Sequence, residues 1–131
     1  MFAVFDASVF VRTVIEREAP AVEWVRRAIR REVSVTVPDL VFAEIGNALG
    51  VYVREATLTL DGAVRRVAFV LRIPLEVREL QVLIAPAVGL GISRGLSVYD
   101  ACYAVLAEAE DAVLVTADRR LAESVTRAEL V

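Results

Sequence analysis

The stretch Phe2-Ala3-Val4-Phe5-Asp6 places an acidic residue directly after four apolar residues. A short apolar run rich in β-formers is typical of a strand buried on both faces, as in a parallel sheet. The chain repeats this arrangement near its other end, where the apolar run 112–115 is soon followed by Asp118. Ligands of open parallel sheets bind beyond the carboxyl ends of the strands. Both acids therefore stand where such a sheet carries its chemistry.

Strand and helix patterns alternate along the rest of the chain. We predict further strands at 33–37 and 74–77 and an edge strand at 129–131. The predicted helices span 7–17, 20–31, 40–54 (capped by Asp39), 61–72, 80–94 (interrupted near Pro86), 97–110 and 119–126. This alternation is typical of an α/β fold with a mostly parallel central sheet flanked by helices on both faces. We expect a single domain over residues 1–131.

The composition excludes several kinds of chemistry. The 131 residues contain no His, all 15 basic residues are Arg, and Cys102 is the single cysteine. Without His or Lys there is no Ser-His-Asp triad, histidine metal site, P-loop lysine or Schiff base. An enzyme of this composition depends on Asp and Glu, alone or with a metal ion on oxygen ligands. The net charge of −3 argues against a basic nucleic-acid binder, apart from local arginine clusters.

The first residues indicate the compartment. They lack a basic region and reach Asp6 within six positions, which is unlike a signal peptide. No apolar run approaches the roughly 18 residues of a membrane span. We therefore expect a cytoplasmic protein without a membrane partner.

Four of the 18 acidic residues lie outside the ordinary polar stretches. Asp6 and Asp118 each follow an apolar strand, and each is also well placed to cap the next helix, so both interpretations stay open. If their strands are neighbours, the two carboxylates face one crevice.

The other two acids lie on apolar helices. Glu44 has apolar residues at the neighbouring helical positions i−4, i−3 and i+4, and Asn47 at i+3. Asp100 lies near the start of a helix that is apolar almost all round. The alternatives are a Glu44 that reaches water near a helix boundary and a capping box formed by Ser97 and Asp100.

The four acids together suggest one acidic cluster. Like charges about 4 Å apart repel by about 4 kcal/mol at an effective dielectric constant of about 20. Either the carboxyl pKa values rise or a cation binds. Oxygen ligands without His or Cys select Mg²⁺ or Mn²⁺, and such an ion suits attack of water on a phosphodiester.

Four short motifs follow one another along the chain. They are Phe5-Asp6-Ala7-Ser8; Glu44-Ile45-Gly46-Asn47-Ala48-Leu49 with Pro38-Asp39-Leu40 before it; Leu96-Ser97-Val98-Tyr99-Asp100-Ala101-Cys102-Tyr103; and Leu114-Val115-Thr116-Ala117-Asp118-Arg119. In this order, and in a chain of this length, they resemble the PIN-domain ribonucleases, and within them the VapC-type toxins of toxin–antitoxin pairs. The resemblance covers essentially the whole chain.

The resemblance implies a PIN-like sheet of order 3-2-1-4-5 and Mg²⁺- or Mn²⁺-dependent endonucleolytic cleavage of RNA. It implies that toxins of this kind form homodimers and are held inactive by a small antitoxin. The implied metal-binding and catalytic residues are Asp6, Glu44, Asp100 and Asp118, supported by Ser8, Thr116 and Asn47.

Among the arginines, Arg119 and then Arg12 are the candidates for contact with substrate phosphates, although both are equally well explained as ordinary surface residues. We expect Asp6, Asp100 and Asp118 to hold the ion, and Glu44 to bind it or to orient the attacking water.

Other functions remain open at the level of sequence. Response-regulator phosphotransfer domains and haloacid-dehalogenase-like phosphatases share acids at strand ends but need a Lys, which this chain lacks. The remaining alternatives are a non-catalytic α/β protein-interaction module and a PIN nuclease that acts in RNA processing. The helices at 40–53 and 80–90 are apolar on more than one side, so they are either simple core or partner surfaces.

Overall fold

Five parallel strands form one sheet in the computed structural model, which describes residues 1–131. The strands are β1 (Phe2–Phe5), β2 (Ser34–Pro38), β3 (Leu75–Arg78), β4 (Val113–Thr116) and β5 (Ala128–Leu130). The order is β3-β2-β1-β4-β5, and every pair is parallel. The expected α/β class and strand order are confirmed, and each predicted strand lies within one residue of its observed bounds.

Seven α-helices and one π-helical segment connect the strands. They are α1 (Ala7–Val11), the π-helical segment (Arg12–Glu16), α2 (Ala19–Ile29), α3 (Leu40–Arg54), α4 (Leu60–Leu71), α5 (Leu80–Arg94), α6 (Val98–Ala109) and α7 (Arg119–Glu123). No single helix is long and apolar enough to cross a membrane; α5 and α6 meet that test only as a pair, and they are bent by 106° to each other.

The central strand β1 is covered on both faces. Ala3, Val4 and Phe5 are fully buried in succession, and successive side chains of a strand point to opposite faces. The ring of Phe5 packs against Phe10 on α1, with centroids 5.8 Å apart, and against Trp24 on α2 at 6.1 Å. These contacts hold the end of β1 in place, and Asp6 with it.

The predicted interruption near Pro86 is wrong, because α5 is continuous through that residue. Pro86 lies on the exposed side of the helix, where water can bond the carbonyl group that a missing N–H leaves free. The opposite side buries Leu83, Ala87 and Gly91. Because buried residues both before and after Pro86 pack against the core, the helix stays continuous through the proline.

The predicted helix 7–17 divides into α1 and the π-helical segment. The segment contains three consecutive β-branched residues, which crowd a regular helix. The first of them, Thr13, also donates its hydroxyl to the Val9 carbonyl oxygen at 2.8 Å. Local side-chain chemistry thus competes with the regular hydrogen-bond ladder here.

Two helix ends also differ from expectation. The last helix ends at Glu123 rather than Thr126, and the Ser124 hydroxyl donates to the Leu121 carbonyl oxygen at its end. Asp39 precedes α3 but makes no capping hydrogen bond, since its own backbone is already helical.

The corner between α5 and α6 depends on Gly91. A Cβ atom at this position would lie 2.9 Å from the Leu96 carbonyl oxygen, which is backbone and cannot swing aside. Gly89, on the same helix, has nothing within 4 Å of its Cβ position. The close approach is therefore confined to one glycine of the helix.

We expect Gly91→Ala to lower the free energy of unfolding by about 1–3 kcal/mol, because the added methyl group overpacks the corner. The control Gly89→Ala should raise it by about 0.5–1 kcal/mol through helix propensity. Urea denaturation measures both variants. Equal stability of the two would contradict the close approach at Gly91.

Candidate active site at the carboxyl edge of the sheet

Asp6 and Asp118 follow neighbouring strands. β1 pairs with β4 in a register that sets Phe5 opposite Val115, and the Asp6 backbone N–H donates to the Val115 carbonyl oxygen at 3.2 Å. Both carboxylates therefore lie at the same edge of the sheet, as expected from the two apolar runs.

Asp6 is buried and fully engaged in hydrogen bonds. Its Oδ1 accepts from the Ser8 backbone N–H at 3.0 Å and from the Ser8 hydroxyl, and its Oδ2 accepts from the Thr116 hydroxyl at 2.5 Å. Burial raises the pKa of Asp6 above its ordinary value, and the bonds from Ser8 and Thr116 lower it in part. Asp6 is thus also the N-cap of α1.

The two hydroxyls that donate to Asp6 also accept from the end of β4. The Ser8 Oγ accepts from the Ala117 N–H at 2.8 Å, and the Thr116 Oγ1 accepts from the Asp118 N–H at 2.9 Å. Each hydroxyl therefore has a fixed direction for its proton, toward Asp6. Ser8 and Thr116, both expected to support the site, join the two strand ends.

Asp118 is exposed at the start of α7. Its Oδ1 accepts from the Leu121 N–H at 3.2 Å, so it caps the helix from the edge of the sheet. The capping interpretation of Asp6 and Asp118 is confirmed, and both acids also lie at the carboxyl edge of the sheet, where the other interpretation expects a ligand.

Glu44 projects from α3 toward α6. The hydroxyl of Tyr103, which is only 1% exposed, donates to Glu44 Oε1 at 2.5 Å. Burial raises the pKa of Glu44, the bond from Tyr103 lowers it, and the charges of Asp6 and Asp100 raise it further. Burial and the neighbouring carboxylate also raise the pKa of Tyr103, which therefore stays a proton donor.

Asp100 lies in the first turn of α6. Its backbone N–H donates to the Ser97 hydroxyl at 3.1 Å, which is one of the two hydrogen bonds of the capping box that the sequence offered as an alternative. Burial raises the pKa of the Asp100 carboxyl, and so does the charge of Asp118, while Ser97 and the Arg120 guanidinium lower it. Arg120 also donates to the Gly95 carbonyl oxygen at the turn before α6.

We call Asp6, Glu44, Asp100 and Asp118 the acidic group. The charges of Asp6 and Asp100 raise the pKa of Glu44, and the charge of Asp118 raises the pKa of Asp100. No three metal-ligating side chains of the chain lie close enough together to hold one ion in this arrangement. The structure thus brings the four acids to one edge and leaves them openly spaced.

The remaining predicted site residues are either exposed or bonded to residues outside the site. Asn47 and Arg119 are exposed, the latter beside Asp118. Arg12 is already engaged, because its guanidinium lies 3.6 Å from Glu16 and donates to the Val131 carbonyl oxygen at 2.8 Å. Arg119 is therefore the freer of the two arginines.

Two residues of the site were missed by sequence reasoning. Tyr103 lies three positions after Asp100, on the same turn of helix, and this spacing was its only signal. Arg120 is adjacent to Arg119, the predicted phosphate contact, and nothing in the sequence distinguishes the two arginines.

Comparison with known proteins settles the family. A family model described as PIN domain matches residues 3–125. The chain belongs to the PIN-domain family. It is 30% identical to Ribonuclease VapC3 from Pyrobaculum aerophilum over 125 residues, which cover 94% of each chain.

Solved structures share the fold over almost the whole chain. The crystal structure of PAE2754 from Pyrobaculum aerophilum has a TM-score of 0.79 and 29% identity, covering all of this PIN-domain chain and 92% of the other. A toxin–antitoxin complex from Klebsiella pneumoniae has a TM-score of 0.66 and 16% identity, covering 98% of this chain and 99% of the matched chain.

We expect Glu44→Gln to raise the thermal midpoint in EDTA at pH 8 by about 2–4 °C. The raised pKa means that the folded protein binds this proton more tightly than the unfolded chain, so folding is penalised once pH exceeds the folded pKa. Gln removes the charge and still accepts from Tyr103. The gain should disappear as pH falls through the ordinary pKa of Glu, near 4.3.

The matched control is Glu55→Gln, an exposed residue at the end of the same helix. It should leave the midpoint unchanged at both pH values. A gain in Glu44→Gln that is equal at acid and alkaline pH would mean that charge is not its cause.

We expect Tyr103→Phe to lower the free energy of unfolding by about 1.5–3 kcal/mol, the usual range for a hydrogen bond to a charged group. The same substitution in a Glu44→Gln background should cost less, and the difference measures the coupling of the two side chains. Tyr99→Phe, an exposed tyrosine of the same helix, should be neutral. Identical costs in both backgrounds would argue that Tyr103 does not act on Glu44.

Proposed function

We propose that this chain is a metal-dependent endoribonuclease. The observation that carries the proposal is the acidic group: carboxylates from four separate parts of a PIN-domain fold lie near one another, so that Asp6 and Asp100 raise the pKa of Glu44 and Asp118 raises the pKa of Asp100. The 30% identical relative, Ribonuclease VapC3, supports RNA as the substrate.

Mg²⁺ or Mn²⁺ is the proposed cofactor. The chemistry of the donor set fits it, since the available groups are carboxylate and hydroxyl oxygens without His or Lys. This structure leaves the carboxylates openly spaced, so we propose that the side chains of Asp6, Asp100 and Asp118 would move closer together to hold the ion, and that Glu44 would bind it or orient water. A divalent ion bound there supplies a Lewis acid for the phosphodiester and lowers the pKa of a water molecule.

The side chains of the protein prepare this site. Ser8 and Thr116 fix both oxygens of Asp6, and Tyr103 fixes one oxygen of Glu44 while leaving the other free. Arg119, exposed beside Asp118, is the proposed contact for a substrate phosphate, with Arg12 second. Asn47 is proposed as polar support on the exposed side of Glu44.

We expect Asp118→Asn to lower RNA cleavage in Mg²⁺ on the order of 100-fold or more, because it removes one of the carboxylates assigned to the ion. This variant is preferred to Asp6→Asn because Asn also caps helices well and Asp118 is exposed, so the fold is retained. The control is Asp111→Asn, an exposed acid just before the opposite end of β4, where Asn tolerates the left-handed backbone. Cleavage by Asp118→Asn equal to that of the control would remove the mechanism.

Metal dependence has a separate readout. EDTA should abolish cleavage by the unmodified protein, and millimolar Mn²⁺ should raise its thermal midpoint by mass action. Asp118→Asn should show a smaller rise, whereas Asp111→Asn should respond as the unmodified protein does. A midpoint that ignores Mn²⁺ would argue for a protein-interaction module instead.

We further propose that the enzyme is a cytoplasmic toxin of a VapBC-type pair, a homodimer that a small antitoxin holds inactive. The toxin–antitoxin complex from Klebsiella pneumoniae, with the same fold, supports an antitoxin partner. The chain also exposes apolar surface on the two helices that the sequence left open as core or as partner surfaces. An apolar pocket of about 410 Å³ lies between α3 and α4, and Val82, Val88 and Ile92 are exposed on α5.

Expression in a cell distinguishes a toxin from a nuclease of RNA processing. A toxin should arrest growth in the unmodified form and in Asp111→Asn, but not in Asp118→Asn. Normal growth with all three proteins, together with RNA cleavage in vitro by the first two, would favour RNA processing.

A further inference from the structure

A pocket rich in arginine lies outside the acidic group, between the π-helical segment and α4. Its volume is about 280 Å³. We call it the arginine pocket; its lining residues are Thr13, Val14, Arg17, Arg65, Arg66 and Phe69. It therefore combines three guanidinium groups with an apolar floor.

The positive charge of the arginine pocket is mostly uncompensated. Arg66 donates to the carbonyl oxygens of Val14 at 2.9 Å and Gly62 at 3.0 Å, which cancel no charge. Arg65 pairs with Asp61 at 2.9 Å, but both side chains are more than 70% exposed, and such pairs are weak. Arg17 has no carboxylate partner. It is also one of four non-glycine residues with a positive φ, with Arg31, Ala56 and Asp111.

The backbone of Arg17, one of the charged residues of the pocket, has an unusual conformation. Arg17 ends the π-helical segment with φ 55° and ψ 35°, in the left-handed region. That region costs a side-chain-bearing residue roughly 1–2 kcal/mol, which Gly would avoid. π-Helical turns and left-handed non-glycine residues both concentrate at functional sites.

Hydrogen bonds connect the π-helical segment, which lines the arginine pocket, to the end of β4 near the acidic group. Arg12, in the π-helical segment, donates to the Val131 carbonyl oxygen, and the Val131 N–H donates to Thr116 at the end of β4. At about 1.5 Å per residue, the helical path from Asp6 to Arg17 is roughly 15 Å. A stacked strand rising about 3.4 Å per nucleotide covers that distance in about four nucleotides.

We propose that the arginine pocket binds a backbone phosphate of single-stranded RNA, about four nucleotides from the cleaved bond. Guanidinium groups bind phosphate through paired, charge-assisted hydrogen bonds. Val14 and Phe69 offer an apolar surface for the adjoining ribose or base. The contact positions the strand without reading its sequence. The proposal rests on the ribonuclease function proposed above.

The test compares two double variants in an Asp118→Asn background, in which the expected loss of activity protects the RNA during the measurement. Arg17→Gln/Arg65→Gln removes two charges of the pocket and spares Arg66, which bonds backbone. The control, Arg26→Gln/Arg30→Gln, removes two exposed charges, one in the last turn of α2 and one just after it. Fluorescence anisotropy with a labelled 12-nucleotide RNA, in EDTA and at several salt concentrations, gives affinity and its salt dependence.

The pocket variant should bind the RNA at least fivefold more weakly at low salt, and the slope of log K against log[salt] should fall by about 0.7, the value for one lost contact to a single strand. The control should stay within twofold of its parent. Arg17→Lys/Arg65→Lys should restore part of the affinity and the full salt dependence, because Lys restores the charge but not the paired hydrogen bonds. Equal binding of RNA by the pocket variant and the control would overturn the proposal. That result is the one expected if the pocket binds a protein partner instead.

A kinetic readout uses the cleavage-competent protein. The pocket variant should raise KM severalfold for a 12-nucleotide RNA with kcat unchanged, and should leave cleavage of a tetranucleotide unaffected. An equal loss on both substrates would overturn the proposal. If the unmodified protein cleaves no RNA, and the pocket variant still binds RNA more weakly than the control, the proposed function fails while the phosphate site stands.

Discussion

Two hydroxyl groups hold the candidate site together. Ser8 and Thr116 each donate to the buried carboxylate of Asp6 and each accept from a backbone N–H just after β4. A hydroxyl that both donates and accepts has no freedom to turn. Two neighbouring strand ends are thereby locked in register, and the direction of the Asp6 carboxylate follows from that register. The positions of Asp118 and α7 depend on the same pair of bonds.

The buried acids at this edge of the sheet have little positive charge nearby to compensate them. Burial penalises the charges of Asp6, Glu44 and Asp100, and the chain offers only arginine as a compensating side chain. Arg120 is the only charged residue that lowers the pKa of a member of the acidic group; the other groups that lower these pKa values are neutral hydrogen-bond donors. The site therefore stores electrostatic repulsion that a multivalent cation would relieve, at the expense of stability in its absence.

The strands and the strand-end acids could be predicted from sequence because both follow local rules. Four apolar residues ending in Asp6 indicate a buried strand, and parallel pairing puts the ends of β1 and β4 together. Contacts between helices follow no such rule. The bond between Tyr103 and Glu44 joins residues 59 positions apart, and it depends on how α3 and α6 pack. The continuity of α5 through Pro86 likewise depends on which side of the helix is buried.

The position of β1 between β2 and β4 has a consequence for synthesis of the chain. The central strand is made before both of its neighbours, and one of them comes from residues 113–116. Pairing across so many residues delays completion of the sheet, because a chain emerging from the ribosome cannot form this edge until β4 has followed β1. The Asp6 carboxylate has no bond from Thr116 until that residue has been translated. A nuclease of this topology therefore cannot assemble its site beside the RNA-rich machinery that makes it before residues 113–118 have been synthesised.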